Sequence, residues 1–114
     1  MQKAYLNDKN EVVECPLFVW ALWMEDERNN ARRVVQKTVL PVGEVSTVFL
    51  GMNHRFGEGT PLWFETATFF TDGDTTINDR YASYAEAKAG HEMVCRELLE
   101  NSTGEEHGKK EKEE

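Results

Sequence analysis

The chain is poor in the residues from which small reactive sites are usually assembled. Among 114 residues it has two cysteines, three histidines and three prolines. Cys15 and Cys95 stand far apart, and the opening MQKAYLNDKNEVVEC has no apolar core of the kind a secretory signal needs. One distant pair without such a signal reads as two reduced thiols rather than a disulfide framework. Long apolar runs are also missing. The longest, LFVWALWM at residues 17–24, has eight residues, whereas a bilayer span needs about 20. No membrane segment is expected. Basic residues are in deficit as well, with 13 Lys and Arg against 21 Asp and Glu and a net charge of −8. That balance argues against binding a phosphate backbone, and Arg32, Arg33 and Lys37 are too few for a nucleic-acid patch. The two signs are too evenly mixed for a mimic of DNA charge. The expected setting is a cytoplasm.

What remains is ordinary globular material: 39% hydrophobic, 11% aromatic and 30% charged residues, enough for a single core. One domain is expected over residues 1–100. Residues 101–114 (NSTGEEHGKKEKEE) have no large apolar side chain and carry −2 of the net charge. Such a segment cannot offset the entropy of ordering, so a disordered acidic tail is expected there.

Within the domain, residues 4–7 and 11–14 flank Asp8-Lys9-Asn10 and read as a hairpin. Pro16 suits a first helical turn, and a helix is expected from Leu17 to about Met24, ending in polar residues 25–30, with a buried strand as the rival reading of that apolar run. Strands follow at 33–40, 45–52 and 62–70, rich in β-branched and aromatic residues. Residues 53–61 (NHRFGEGTP) form a glycine-containing hairpin loop, and 71–79 a polar loop leading to a short strand near 80–82. Ser83 and Glu86 make an S-x-x-E capping box. The helix that follows carries Ala87, His91, Val94, Cys95 and Leu98 on one face and Lys88, Glu92, Arg96 and Glu100 on the other. Gly90 weakens that helix by about 1 kcal/mol relative to Ala, so close packing against a neighbour is the expected reason for it. The fold class is therefore α+β, an antiparallel sheet of three to five strands with two helices.

The central strands are apolar on both faces, where a half-solvated sheet should alternate. Either helices cover both faces or one is buried in an oligomer, and a homodimer is expected. If Trp20 and Trp23 face the sheet, Phe18 or Leu22 must be partly exposed, which favours a protein interface.

The candidate binding residues are His54, Arg55, Glu65 and His91. His54 and Arg55 open the 53–61 loop, whose Gly57 and Gly59 free backbone N–H groups for an anion. Glu65 interrupts the most apolar strand; a salt bridge to a structural partner, Arg55 or Arg80, or an exposed edge position is the expected reading, and the functional alternative is that it sets the protonation of the histidines. A hairpin brings these three to one end of the sheet, and the last helix is the route by which His91 joins them. His91 and Cys95, four apart, have the spacing of a metal chelate, but two ligands do not complete a site. A hydrogen-bonded core histidine beside a small apolar thiol is the expected reading. No metal and no cofactor is expected, and catalytic residues are not identifiable. The partner is expected to be a protein or a small anionic ligand.

The order VSTVFLGMNHRFG, PLWFETATFF, RYASYAEAKAGHEMV resembles a family of short, mostly uncharacterised proteins of tailed bacteriophages and prophages. The pattern runs from Trp20 and Trp23 through Val45-Ser46-Thr47-Val48-Phe49-Leu50-Gly51, His54 and Phe56-Gly57. It continues in Pro61-Leu62, Phe64-Glu65-Thr66, Arg80-Tyr81, Glu86-Ala87 and Gly90-His91. The resemblance implies a phage-encoded accessory protein in the cytoplasm of the infected bacterial host. It would bind a host or phage component, modulation of host defence being one such role. A small metal- or acid/base-dependent enzyme and a minor virion component are the alternatives.

Overall fold

The computed structural model describes residues 2–104. Its elements are β1 (Lys3–Leu6), β2 (Val12–Cys15), α1 (Leu17–Glu25), α2 (Glu27–Arg32), β3 (Val34–Leu40), β4 (Gly43–Phe49), β5 (Phe64–Phe70), β6 (Thr75–Tyr81) and α3 (Tyr84–Gly104). β1 and β2 form an antiparallel hairpin. β3 to β6 form an antiparallel four-stranded meander in chain order. The α+β class holds.

The first hairpin closes as expected. Asn7 Oδ1 accepts from the N–H groups of Lys9 and Glu11, and Asn10 takes a positive φ. Pro16 caps α1 from extended backbone just before its first turn. The polar stretch after α1 is not a plain ending. Asp26 accepts from the Arg28 N–H at 2.9 Å and starts a second short helix, α2. This is a capping event that the eye passes over beside the apolar run.

The expected polar loop at 71–79 is corrected too. A tight turn, with Gly73 N–H donating to the Phe70 carbonyl and Asp74 N–H to Asp72 Oδ1, returns the chain at Thr75 into the seven-residue strand β6. β6 reads as loop because it is an edge strand with most of its side chains in water. At the other boundary, α3 continues through residues 101–104, so the helix outlasts the expected domain limit at 100. The rest of the expected tail, 105–114 with His107, lies outside the described residues.

Pairing registers divide the sheet into two faces. Val45, Thr47 and Phe49 of β4 stand beside Thr68, Thr66 and Phe64 of β5 on the face that α3 covers, and all six are buried. With Leu6, Ala4, Trp63, Tyr81 and Ala87 the two phenylalanines make the core. A chain of aromatic contacts runs through it from Tyr5 by Trp23, Phe49 and Phe64 to Tyr84. Ser83 Oγ accepts from the Glu86 N–H at the start of α3, as the capping box predicts. The Glu86 carboxylate accepts from that same hydroxyl. Gly90 meets the ring of Tyr81 so closely that a Cβ would fall on it. The expected reason for this glycine is the observed one.

Among the described residues nothing covers the other face of the sheet. It carries Val34, Val48, Glu65 and Arg80 in one row, Lys37, Ser46, Ala67 and Ile77 in the next, and Val39, Glu44, Phe69 and Thr75 in the third. Among the described residues α3 is the helix that packs broadly on β3 to β6, and it takes the opposite face.

Candidate functional site

The four candidate residues do not converge. Side chains alternate across a pleated strand, and that alternation separates them. Thr47 points to α3, where its hydroxyl hydrogen-bonds His91 Nδ1 at 2.7 Å. Its neighbour Val48 points the other way and stands beside Glu65 on the uncovered face. Glu65 and His91 therefore lie on opposite sides of the sheet.

His91 is fully buried, and both ring nitrogens are engaged. Nε2 bonds the Thr38 hydroxyl at 2.8 Å, Nδ1 bonds Thr47, and Thr47 bonds Thr66 at 2.5 Å. A neutral imidazole offers one donor and one acceptor, which two hydroxyls satisfy without leaving an orphan. Burial holds the pKa of this ring below its ordinary value, with Glu92 opposing weakly. Cys95 sits near Thr38 and its thiol is pushed up by burial, as is that of Cys15. Both cysteines are free. A raised thiol is a poor nucleophile, and the His91–Cys95 spacing serves a packed helix face. Among the described residues no group of three or more metal-ligating side chains gathers.

Glu65 is satisfied where it stands. Arg80, its register partner on β6, donates Nε–H to Glu65 Oε2 at 2.9 Å. The structural partner for the carboxylate is thus the arginine directly across the ladder.

The 53–61 loop is braced from within. His54 Nδ1 donates to the Met52 carbonyl, and Arg55 Nε donates to the Thr60 carbonyl at 2.6 Å. The stem of Arg55 lies across Gly59, within about 3 Å of where a Cβ would stand. The residue that organises the loop is Asn53. Its Oδ1 accepts from the N–H groups of Arg55 and Leu62, and its Nδ2 donates to Gln2. An Asn followed two residues later by an Arg gave no reason to expect a pin closing nine residues, although Asn is a known closer of local turns. The loop is exposed from Arg55 to Thr60, and Phe56 is almost wholly in water.

A cleft of about 550 Å³ lies between the first hairpin and α1–α2, lined by Tyr5, Trp23, Arg28 and Arg32 among others. Its cations are committed. Arg32 donates to the Leu6 and Asn7 carbonyls and to Asn10. Arg28 pairs with Asp26 at 2.7 Å and holds that carboxyl at about 2.

The feature that stands out is α1. Eight of its nine residues, Leu17 to Met24, are apolar and so line every side of the helix, and none of the nine is buried. Trp20 and Trp23 do turn inward, Trp20 over Gly51 with the Lys3 ammonium above its ring, and Trp23 edge-on to Phe49. The outward ridge is then Leu17, Phe18 and Leu22, at 63%, 71% and 57% exposure. The expected exposure of Phe18 or Leu22 holds for both. Glu14, Glu25 and Glu27, all exposed, lie on either side of this stretch in the sequence, with Arg28 already paired to Asp26. Among the described residues no helix is long and apolar enough to cross a membrane. No family model, curated protein or solved structure matches the chain.

Proposed function

We propose that this chain is a non-enzymatic accessory protein that docks α1 into a partner protein. The observation that carries this reading is the Leu17, Phe18 and Leu22 ridge. Three large apolar side chains on one short helix, each more than half exposed, are costly to leave in water. At about 25 cal/mol per Å² of apolar area, covering a ridge of this kind contributes several kcal/mol to a complex. Its chemistry specifies the partner: an apolar groove wide enough for a helix, with a basic rim to meet Glu14, Glu25 and Glu27. The residues suited to catalysis support the same reading, because His91, Glu65 and Arg55 are each occupied by internal partners.

The resemblance to short phage and prophage proteins supplies the setting, the cytoplasm of an infected bacterium, where a host or phage protein is the target. The test is photocrosslinking inside such cells from an unnatural residue at Phe18 or Leu22. A discrete adduct is expected, competed away by unlabelled chain but not by the Leu17→Ser, Phe18→Ser, Leu22→Ser triple variant. If that variant, folded by circular dichroism, competes as well as the parent, the reading is wrong.

A further inference from the structure

We infer that the uncovered face of the β3–β6 sheet docks a second copy of this chain. The inference is independent of the role given to α1, which contributes nothing to this face. Six of the twelve side chains that project here are apolar: Val34, Val39, Val48, Ala67, Phe69 and Ile77. Val39 is 77% exposed and Phe69 and Ile77 are about half exposed, whereas the small Ala67 between them is covered by its larger neighbours. An antiparallel sheet whose second face meets only water should be polar there. This one is instead a layer lacking its neighbour.

Charge decides what the neighbour is. The face holds two cations and two anions, Lys37 with Glu44 at 3.4 Å and Arg80 with Glu65 at 2.9 Å. It is neutral and internally paired, on a chain of net charge −8. A basic partner would find no surplus of carboxylates here, and an acidic one no free cation. A second copy requires no charge complement from this face. By contrast, the acidic rim of α1 would repel its own image.

The shape permits the packing. Small residues, Ser46 and Ala67, occupy the middle of the face on the two central strands and are register partners. A two-fold axis running along the strands between β4 and β5 sets Ser46 of each copy over Ala67 of the other, so the shortest side chains meet and the larger ones around them can interdigitate. Four strands about 4.8 Å apart and seven residues at about 3.3 Å give a footprint of roughly 440 Å² per copy. That total of roughly 900 Å² belongs with weak, concentration-dependent complexes, with a Kd on the order of 10 µM or above. Because each copy is acidic and the contact is not, added salt should tighten the dimer by screening the repulsion between copies.

Sedimentation equilibrium of the full chain, at low and high salt, tests this. A reversible monomer–dimer equilibrium is expected, stronger at high salt. Phe69→Lys and Ile77→Lys should each weaken it by at least about tenfold. Both sites are half exposed, so an unchanged unfolding midpoint establishes that the variants are folded. The triple α1 variant should dimerise as the parent does, and Phe69→Lys should keep its crosslink from Phe18. That pair of results separates this inference from the proposed function. A chain that stays monomeric at about 1 mM, a dimer that survives both lysine variants, or one lost with the α1 variant overturns the inference.

Discussion

Replacing Gly90 by alanine sets two known effects of opposite sign against each other at one position. In an exposed helix interior, Gly→Ala stabilises by about 1 kcal/mol, because the unfolded chain loses conformational freedom that it no longer gives up on folding. Here the new methyl falls on the Cε1, Cζ and hydroxyl of Tyr81. That ring cannot yield freely. It is 9% exposed, belongs to the core beside Ala87, and stands in register with Phe64. Its strand is tied at that residue, since the Trp63 N–H donates to the Tyr81 carbonyl. Shifting the ring by the ångström or more that a normal contact requires, or swinging it into water, costs about 2–4 kcal/mol. The net expectation is a loss of about 1–3 kcal/mol, seen as a fall in Tm of roughly 5–15 °C for a domain of this size.

Two companion variants make the reasoning refutable. Ala89→Gly, one residue away and exposed, should cost about 1 kcal/mol and calibrates the intrinsic term in this helix. In a Tyr81→Ala background the obstacle is gone, so Gly90→Ala should switch sign and stabilise by about 1 kcal/mol. The double-mutant cycle would then report a coupling of several kcal/mol between two residues in direct contact. Chemical denaturation of the four proteins gives all the terms. If Gly90→Ala stabilises the parent, or costs as much without the ring as with it, the contact is not what requires glycine.

The buried ring of His91 predicts a pH dependence. Burial lowers its folded pKa, so the unfolded chain binds a proton that the folded chain refuses. Stability from this residue is full above about pH 6.5 and falls as pH drops through the depressed folded value. Denaturation midpoints measured downward from pH 8 should show that slope, and His91→Leu should flatten it; a slope unchanged by the substitution would refute the assignment. For the Glu65–Arg80 pair, Glu65→Gln should cost about 1 kcal/mol or less, since the arginine is one-third exposed. The loss should shrink in high salt, and a loss several times larger would mean that the pair does more than bridge two strands.

How far the sequence could be read depends on which signal each element sends. α3 was legible down to its cap because Ser83, Glu86 and the Ala87, His91, Val94 spacing all point to one helix. The 33–40, 45–52 and 62–70 strands were legible because β-branched and aromatic residues cluster between turn formers. β6 was not, since an edge strand with its side chains in water has the composition of a loop. Thr75, Thr76 and Ile77 following an Asp-Gly turn were the available signal. α2 was hidden because a six-residue helix has too few positions for periodicity, and only Asp26 marks its start. The expected meeting of His91 with Glu65 failed for a geometric reason, which leaves the 53–61 loop as it was. Proximity in sequence placed Glu65 with His54 at one end of the sheet, correctly. Which face each side chain takes depends on a register that local composition does not specify, and one residue of register moves a side chain to the other face.

The doubly apolar strands show how such a failure still informs. Alternation on β4 and β5 gives one face of Val45, Thr47, Phe49, Phe64, Thr66 and Thr68, which α3 buries. Half of that face is threonine. Three hydroxyls from this sheet accompany His91, with Thr38 the contribution of β3. The second face carries two ion pairs but is apolar at half of its positions, and nothing in the described chain covers it. A buried face can afford threonines only because each finds a partner. An open face has no such constraint, and water would accept any polar residue there. Val39, Phe69 and Ile77 are therefore not explained by the folding of one chain, and the same holds for Leu17, Phe18 and Leu22 on α1. These two surfaces differ in rim charge, one neutral and one acidic, so a single partner does not fit both. The two proposals, self-association on the sheet and capture of a basic-rimmed groove by α1, would divide them between a second copy and another protein. A dimer formed through the sheet would then present two α1 ridges at once, and a target able to reach both would be held more tightly than by either alone.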